Sequence, residues 1–246
     1  MGLYVETCIR ADMEELWERT QTPAHHERWD LRFTEIDYLP CAPGEPQRFR
    51  YATRVLPFLT VAGTGISAGE RHRTGGECVS ALRFASPHPL SLLAEGSGYW
   101  RYVPTADGVR FLTGYDYRPR WGRFGAVADR LVFRPLMGWA TAWSFDRLRL
   151  WCERGISPAR SLAYAITELM ARALVVVAAV ACVVRVWAVE PSDLPTAGAA
   201  VFGALALAAV ALLAPPSPRT PAARRCLRTP PAPTAMPGIL TTLEQA

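Results

Sequence analysis

The sequence predicts an α+β protein: a curved antiparallel sheet of about six or seven strands wrapped on a long C-terminal helix, followed by two transmembrane helices. Three observations carry this expectation. Residues 3–118 contain a series of short segments that alternate apolar and polar side chains, the period of a half-buried strand. The stretch from Trp121 to Cys152 switches to a helical period. Its Val132, Leu136, Trp139, Trp143 and Leu150 fall within about 60° of one another at roughly 100° per residue. Finally, Ala173 to Val189 (apart from Arg185) and Ala197 to Ala214 are apolar throughout, each near the lower limit of about 17 residues for crossing a bilayer.

In chain order, Leu3 to Arg10 places Val5, Thr7 and Ile9 on one face of a strand and Glu6, Cys8 and Arg10 on the other. Asp12 caps a short helix whose first turn carries Glu14 and Glu15, the end that favours negative charge, while Leu16 and Trp17 anchor it inward. Thr22-Pro23 opens a second short helix ending near Trp29. Thr34, Ile36 and Tyr38 then alternate with Glu35 and Asp37, and Pro40 to Pro46 is a loop by composition. Phe49, Tyr51, Thr53 and Val55 alternate with Arg48, Arg50 and Arg54. Thr60 to Gly69 is a Gly-rich strand with bulges or bends at Gly63 and Gly65. Cys78, Ser80, Leu82 and Phe84 alternate with Glu77 and Arg83, and Ser86 to Glu95 connects onward, with a helical turn at Leu90 to Ala94.

Parity places Trp100 and Tyr102 on one face of the next strand, and Phe111, Thr113, Tyr115 and Tyr117 on one face of the last. A type I′ turn at Asp107-Gly108 sets Tyr102 opposite Thr113 and Trp100 opposite Tyr115, so the two aromatic faces coincide. The Gly75-Gly76 turn leaves its register open. Pro135 should kink the long helix near Val132, and Thr141, Arg149 and Glu153 lie off its apolar stripe.

Composition excludes several classes. All 27 basic residues are Arg, and formal net charge is +5. Residues 1–161 hold 21 Arg against 18 acids, a mixed surface rather than the clustered basic face that binds nucleic acid. Cys8, Cys41, Cys78, Cys152, Cys182 and Cys226 are isolated, as scattered reduced thiols of a cytosolic domain are. The first residues are charged and strand-like, unlike a signal peptide, and Glu6 stands where a myristoylation site wants Ser or Thr. His25-His26 point about 100° apart on a helix, a solvated surface pair rather than a metal site, and His72 and His88 lack ligands at suitable spacing. No nucleophile elbow, phosphate loop, HExxH or dinucleotide fingerprint occurs, so neither a metal nor a cofactor is expected.

The order of strand, two short helices, about six antiparallel strands and long helix resembles the START-like, or SRPBCC, helix-grip superfamily. That superfamily includes polyketide cyclase-like and coenzyme Q-binding-like proteins. The local wording is similar too: VETCIRA, then MEELWERTQTPAHHERWD, then the terminal helix. The resemblance covers about residues 3–154 and implies a deep apolar cavity between sheet and long helix, without implying a reaction.

The chain accordingly divides into a ligand-binding domain (1–157), a membrane hairpin (158–216, spans at about 173–189 and 197–214) and a disordered Pro/Arg-rich tail (217–246). The candidate cavity wall is Phe49, Tyr51, Thr53, Ser80, Leu82, Phe84, Trp100, Tyr102, Phe111, Thr113, Tyr115 and Tyr117 from the sheet, with Leu136, Trp139 and Trp143 from the helix. A filled core with tyrosine hydroxyls at its rim is the competing reading. Asp146 and Arg147 flank the helix stripe and read as a solvent-facing ion pair.

Three functions are compatible with this layout: a membrane-anchored binding protein for a lipid, quinone or polyketide-like molecule; a cyclase or dehydratase using the same cavity through tyrosines or a buried carboxylate; and a tethered interaction domain with a filled core. The partners expected are a hydrophobic small molecule and the lipid bilayer, with no nucleic acid; oligomeric state stays open. Arg147, Arg149, Arg154, Arg160 and Arg172 precede the first span, Arg219, Arg224, Arg225 and Arg228 follow the second, and the connection 190–196 has no Arg. This places the domain and the tail in the cytoplasm, with Arg185 snorkelling toward the outer interface.

Overall fold

The structure, a computed structural model, describes residues 2–56, 58–70, 75–188, 194–231 and 236–243. His72, Val189 and most of the connection 190–196 therefore lie outside the described residues. The sheet comprises β1 (Leu3–Ile9), β2 (Glu35–Tyr38), β3 (Gln47–Leu56), β4 (Leu59–Glu70), β5 (Cys78–Ala85), β6 (Leu93–Thr105) and β7 (Gly108–Pro119). Strand order is β1-β7-β6-β5-β4-β3-β2, antiparallel throughout. Helices α1 (Met13–Gln21) and α2 (Pro23–Trp29) follow β1, while α3 (Gly122–Ala128), a π turn (Asp129–Phe133) and α4 (Arg134–Arg154) follow β7. Two compact units result: residues 1–158 with 222–246, and residues 159–221.

In the first unit the core lies between one face of the sheet and the helices. Phe111 stacks on Phe145 of α4 at 4.5 Å between ring centroids, Tyr102 meets Trp17 of α1 at 5.1 Å, and Trp100 meets Trp29 at the end of α2 at 6.0 Å. The opposite face is also covered. Tyr4, Ile66, Ala81, Tyr99 and Leu112 form a second apolar cluster with Leu240 and Leu243.

The C-terminal segment is thus part of the domain, where the sequence reading expects disorder. Leu227 exchanges two backbone hydrogen bonds of 2.9 Å with Glu6, closing on the free edge of β1. The Ala222 amide donates to the Asp146 carboxylate at 2.8 Å. The composition that suggested disorder is that of a segment with no core of its own, which becomes ordered against a core already built.

The helix stripe is corrected in the same way. Trp143 and Leu150 are buried, but Val132, Leu136 and Trp139 are 64%, 54% and 44% exposed. Thr141, expected off the stripe, is fully buried. From Thr141 to Leu148 every side chain is buried, because α4 has the sheet on one side and the C-terminal segment on the other. A helix covered on both sides has no single apolar stripe to read. The expected break near Val132 is the π turn, and Pro135 sits in the first turn of α4, where its missing N–H costs no helical bond.

The β6–β7 register differs from the expected one by two residues. Tyr102 pairs with Phe111, Trp100 with Thr113 and Gly98 with Tyr115, around a turn at Ala106-Asp107. A shift of two conserves parity, so the aromatic faces still coincide while the partners change. Gly108 is the first residue of β7; a Cβ there would lie 2.3 Å from the Ile9 carbonyl oxygen, so the strand ends at β1 demand a glycine independently of the turn. The helical turn expected at Leu90–Ala94 is replaced by the start of β6 at Leu93.

In the second unit, α5 (Pro158–Ala188) and α6 (Leu194–Leu213) are long and apolar enough to cross a membrane, and only 6% of each apolar window is buried. Arg172 donates to the carbonyls of Ala211 and Ala214 at 2.9 and 2.8 Å and pairs with Glu168 at 2.6 Å. The carbonyls left open at the end of α6 are thereby satisfied by a cation, as a helix C-terminus favours.

Candidate functional site

A cavity of about 130 Å³ opens between β3–β7, the α1–α2 region and α4. Nine of the expected wall residues line it: Phe49, Tyr51, Thr53, Ser80, Leu82, Phe84, Trp100, Thr113 and Tyr115. Their placement depends on glycines across the strand pairs. Tyr51 lies over Gly63 and Phe49 over Gly65, where a Cβ would come within 2.4 and 2.3 Å of the respective side chains. The glycines expected to bend β4 therefore also make floor space for rings from β3.

Six expected wall residues are elsewhere. Tyr102 and Phe111 are fully buried in the packed core beside the cavity. Leu136 and Trp139 face outward, and Trp143 is buried between Trp139, stacked at 6.1 Å, and the Arg147 guanidinium at 5.1 Å. Tyr117 also leaves the wall; its hydroxyl donates to Asp129 at 2.5 Å. The helix contributes Met137 instead. Sequence reasoning missed the wall made by α1, α2 and β2, including Thr20, Gln21, His26, Arg32, Phe33, Ile36 and Tyr38. The inward run from His26 to Phe33 has no period to betray it, because it leaves a helix and turns.

A buried ion-pair network supports that missed wall. Asp30, with no exposed side-chain surface, accepts from Arg32 Nη2 at 2.6 Å and Nε at 2.9 Å, and bonds His26 Nε2 at 3.1 Å. Burial opposes the Asp30 charge, but the Arg32 guanidinium outweighs it and holds the carboxyl well below the usual carboxylate range. The Arg32 guanidinium lies over the rings of Phe33 and Tyr115, at 5.5 and 5.6 Å. His26 is buried and stacked on Trp29 at 5.0 Å, in contrast to the solvated pair expected.

A second polar chain closes the inner end. The Tyr102 hydroxyl meets Thr20 Oγ1 at 2.7 Å and accepts from Gln21 Nε2 at 2.8 Å, and Ser80 donates to Gln21 Oε1 at 3.1 Å. Tyr115 and Thr141 hydroxyls join at 2.8 Å, with Thr141 donating onward to the Met137 carbonyl. Burial pushes Tyr51 up to about 12 and raises Tyr102 as well. These phenols stay neutral at ordinary pH, as hydrogen-bonding groups rather than bases.

Asp146 and Arg147, expected at the solvent, are both buried. Asp146 receives Arg149 and Arg225 at 2.7 and 2.9 Å, and Arg147 caps the carbonyls of Arg28, Trp29 and Pro158. Burial lowers Arg147 to about 10. Both are scaffold, away from the cavity wall. Among the described residues no three His, Cys, Asp or Glu side chains form a group that could hold a metal.

The strand order, the two short helices after β1 and the long helix after β7 define a helix-grip fold, here carrying two C-terminal helices of membrane-spanning length. A relative of established sequence similarity is an uncharacterized membrane protein of Bacillus subtilis strain 168, YndG, 50% identical over 165 residues. The match covers 67% of this chain and 62% of that protein, so the chain spans less than two thirds of the relative's length. No family model matches the sequence. Among solved structures, a STAR-related lipid transfer protein from Xanthomonas axonopodis aligns over 58% of this chain and 81% of its own, with TM-score 0.45 and 17% identity. The Zhui aromatase/cyclase from Streptomyces sp. R1128 aligns over 62% of this chain and 98% of its own, with TM-score 0.41 and 14% identity.

Proposed function

We propose that this chain is a membrane-anchored binding protein for a small hydrophobic molecule of the lipid, quinone or polyketide class, held by its ring or a short acyl segment. The observation that carries the reading is the aromatic cavity itself. Its 130 Å³ is close to the roughly 150 Å³ apolar cavity that takes up a benzene, and below the roughly 300–1,000 Å³ of a drug-sized site. The wall offers rings for an apolar body, and the hydroxyl oxygens of Thr53, Ser80 and Thr113, whose protons go to the Arg32 carbonyl, Gln21 and the Tyr99 carbonyl, are left to accept from a hydroxyl on the ligand. Burial pushes the Tyr51 phenol up to about 12, which keeps it a neutral hydrogen-bonding group in the wall.

The anchor supplies the reason for the location: a hydrophobic ligand partitions into the bilayer that α5 and α6 would cross. The domain and the C-terminal segment then share the cytoplasmic side. The Arg distribution supports this, and so does the packing of Leu227, Leu240 and Leu243 on the N-terminal sheet, which requires both ends on one side.

The test is native mass spectrometry of the full chain in lipid nanodiscs, followed by extraction and identification of any bound lipophile. A Leu82→Trp variant, which fills the wall, should release it while retaining the fold. An empty wild-type chain that also fails to take up an apolar dye would sink the binding reading. For topology, a Ser192→Cys probe in a background lacking native thiols should react with an impermeant maleimide from outside, and a Thr229→Cys probe should not.

A further inference from the structure

The outward face running from α3 through the π turn into α4 is strongly apolar. Phe124, Val127, Leu131, Val132 and Leu136 are each more than half exposed, and Trp121 and Trp139 at its two ends are each 44% exposed. The π turn at Asp129–Phe133 lies in the middle of this stretch. Its wider turn shifts the helical register between α3 and α4, and exposed apolar residues lie on both sides of it: Val127 before, Leu131 and Val132 within, Leu136 after. A contiguous apolar face of this kind marks an interaction surface on a folded protein.

Its charges identify the partner. From Trp121 to Thr141 the sequence has Arg123, Arg130 and Arg134 against one acid, Asp129. Asp129 is buried and occupied by Tyr117 and Arg134, while Arg123 and Arg130 are exposed. The exposed charges of this segment are both cations, against a single exposed acid beside it, Asp116 of β7, which acts on Arg134; the balance disfavours a symmetric second copy of the face and suits an anionic leaflet. Indoles at both ends are the side chains favoured at headgroup depth. The chain passes from α4 into α5 within three residues, Gly155 to Ser157, so the domain is tethered to whatever bilayer α5 enters.

We infer that residues 121–139 are a membrane-docking face that lies in the interface of an anionic leaflet, a contact separate from the two spans. The inference rests on the reading that α5 and α6 cross the bilayer, and its test separates the two. Full chain is reconstituted in phosphatidylcholine vesicles with and without phosphatidylglycerol, doped with a phosphatidylcholine carrying a diazirine on its acyl chain, then irradiated and mapped by peptide mass spectrometry. Adducts are expected at 121–139 as well as in α5 and α6. Omitting phosphatidylglycerol should reduce those at 121–139 by at least about fivefold relative to the spans, the loss of one interfacial cation's contribution. Leu131→Glu with Leu136→Glu should abolish them without lowering the melting temperature, since both side chains are exposed; if that pair misfolds, Arg123→Glu with Arg130→Glu serves instead. Adducts in the spans alone overturn the docking face and leave the anchor standing; adducts in neither overturn both. A dimer in nanodiscs that the Leu131/Leu136 pair dissociates would assign the face to a second copy and overturn the proposal.

Discussion

Asp146→Ala should detach the C-terminal segment from the domain. The carboxylate is completely buried and holds three groups: Arg149 at 2.7 Å, Arg225 at 2.9 Å and the Ala222 amide at 2.8 Å. Removing one partner of a buried ion pair costs about 3–5 kcal/mol, because the remaining charge is stranded. Here Arg149 keeps Glu153 at 2.9 Å, and Arg225, whose side chain is 24% exposed, can rotate toward water. The lower end, about 3 kcal/mol, is therefore expected. At about 2–4 °C per kcal/mol for a domain of this size, melting should fall by roughly 6–12 °C. Tryptophan fluorescence of the full chain in nanodiscs measures that. Hydrogen exchange supplies the local readout: the Glu6 and Leu227 amides, paired in the wild type, should lose protection, and trypsin should cut at Arg224, Arg225 and Arg228. A variant with unchanged melting and full protection at Leu227 would show that Asp146 does not hold the segment, and the reasoning from its buried partners would fail.

Tyr102→Phe removes a fully buried hydroxyl that Thr20 and Gln21 share, and should cost about 1–2 kcal/mol in denaturant unfolding, since both partners keep other bonds. Gly65→Ala places a Cβ 2.3 Å from the Phe49 ring, so the ring must move into the cavity; bound lipophile should fall at least tenfold while the fold persists, and undiminished occupancy would contradict the wall assignment. Burial raises Tyr51 to about 12 above its ordinary value near 10, so the folded state holds its proton more tightly than the unfolded chain. That contribution is complete below about pH 10 and is lost as pH rises toward 12; a flat alkaline stability profile measured by urea titration would refute it.

The sequence by itself determined the order of elements, the membrane-length helices and the inward face of β3, β5, β6 and β7. These depend on local periods, and a period survives even a register error of two, as at Trp100 and Tyr102. The sheet side of the cavity was legible for the same reason: Phe49, Tyr51 and Thr53 keep the parity that turns them inward. Only the tertiary structure decided what lies on the second side of an element. Asp146 is buried because the segment around Ala222 returns some 76 positions later to cover α4, and no pattern near residue 146 announces a neighbour that distant. His26, Arg32 and Phe33 likewise became a cavity wall through a turn with no repeat. Trp139 stayed outside because a five-residue π turn and the end of the sheet decide where α4 meets cover. Local chemistry sets which faces are apolar; the fold sets which of them find something to bury against.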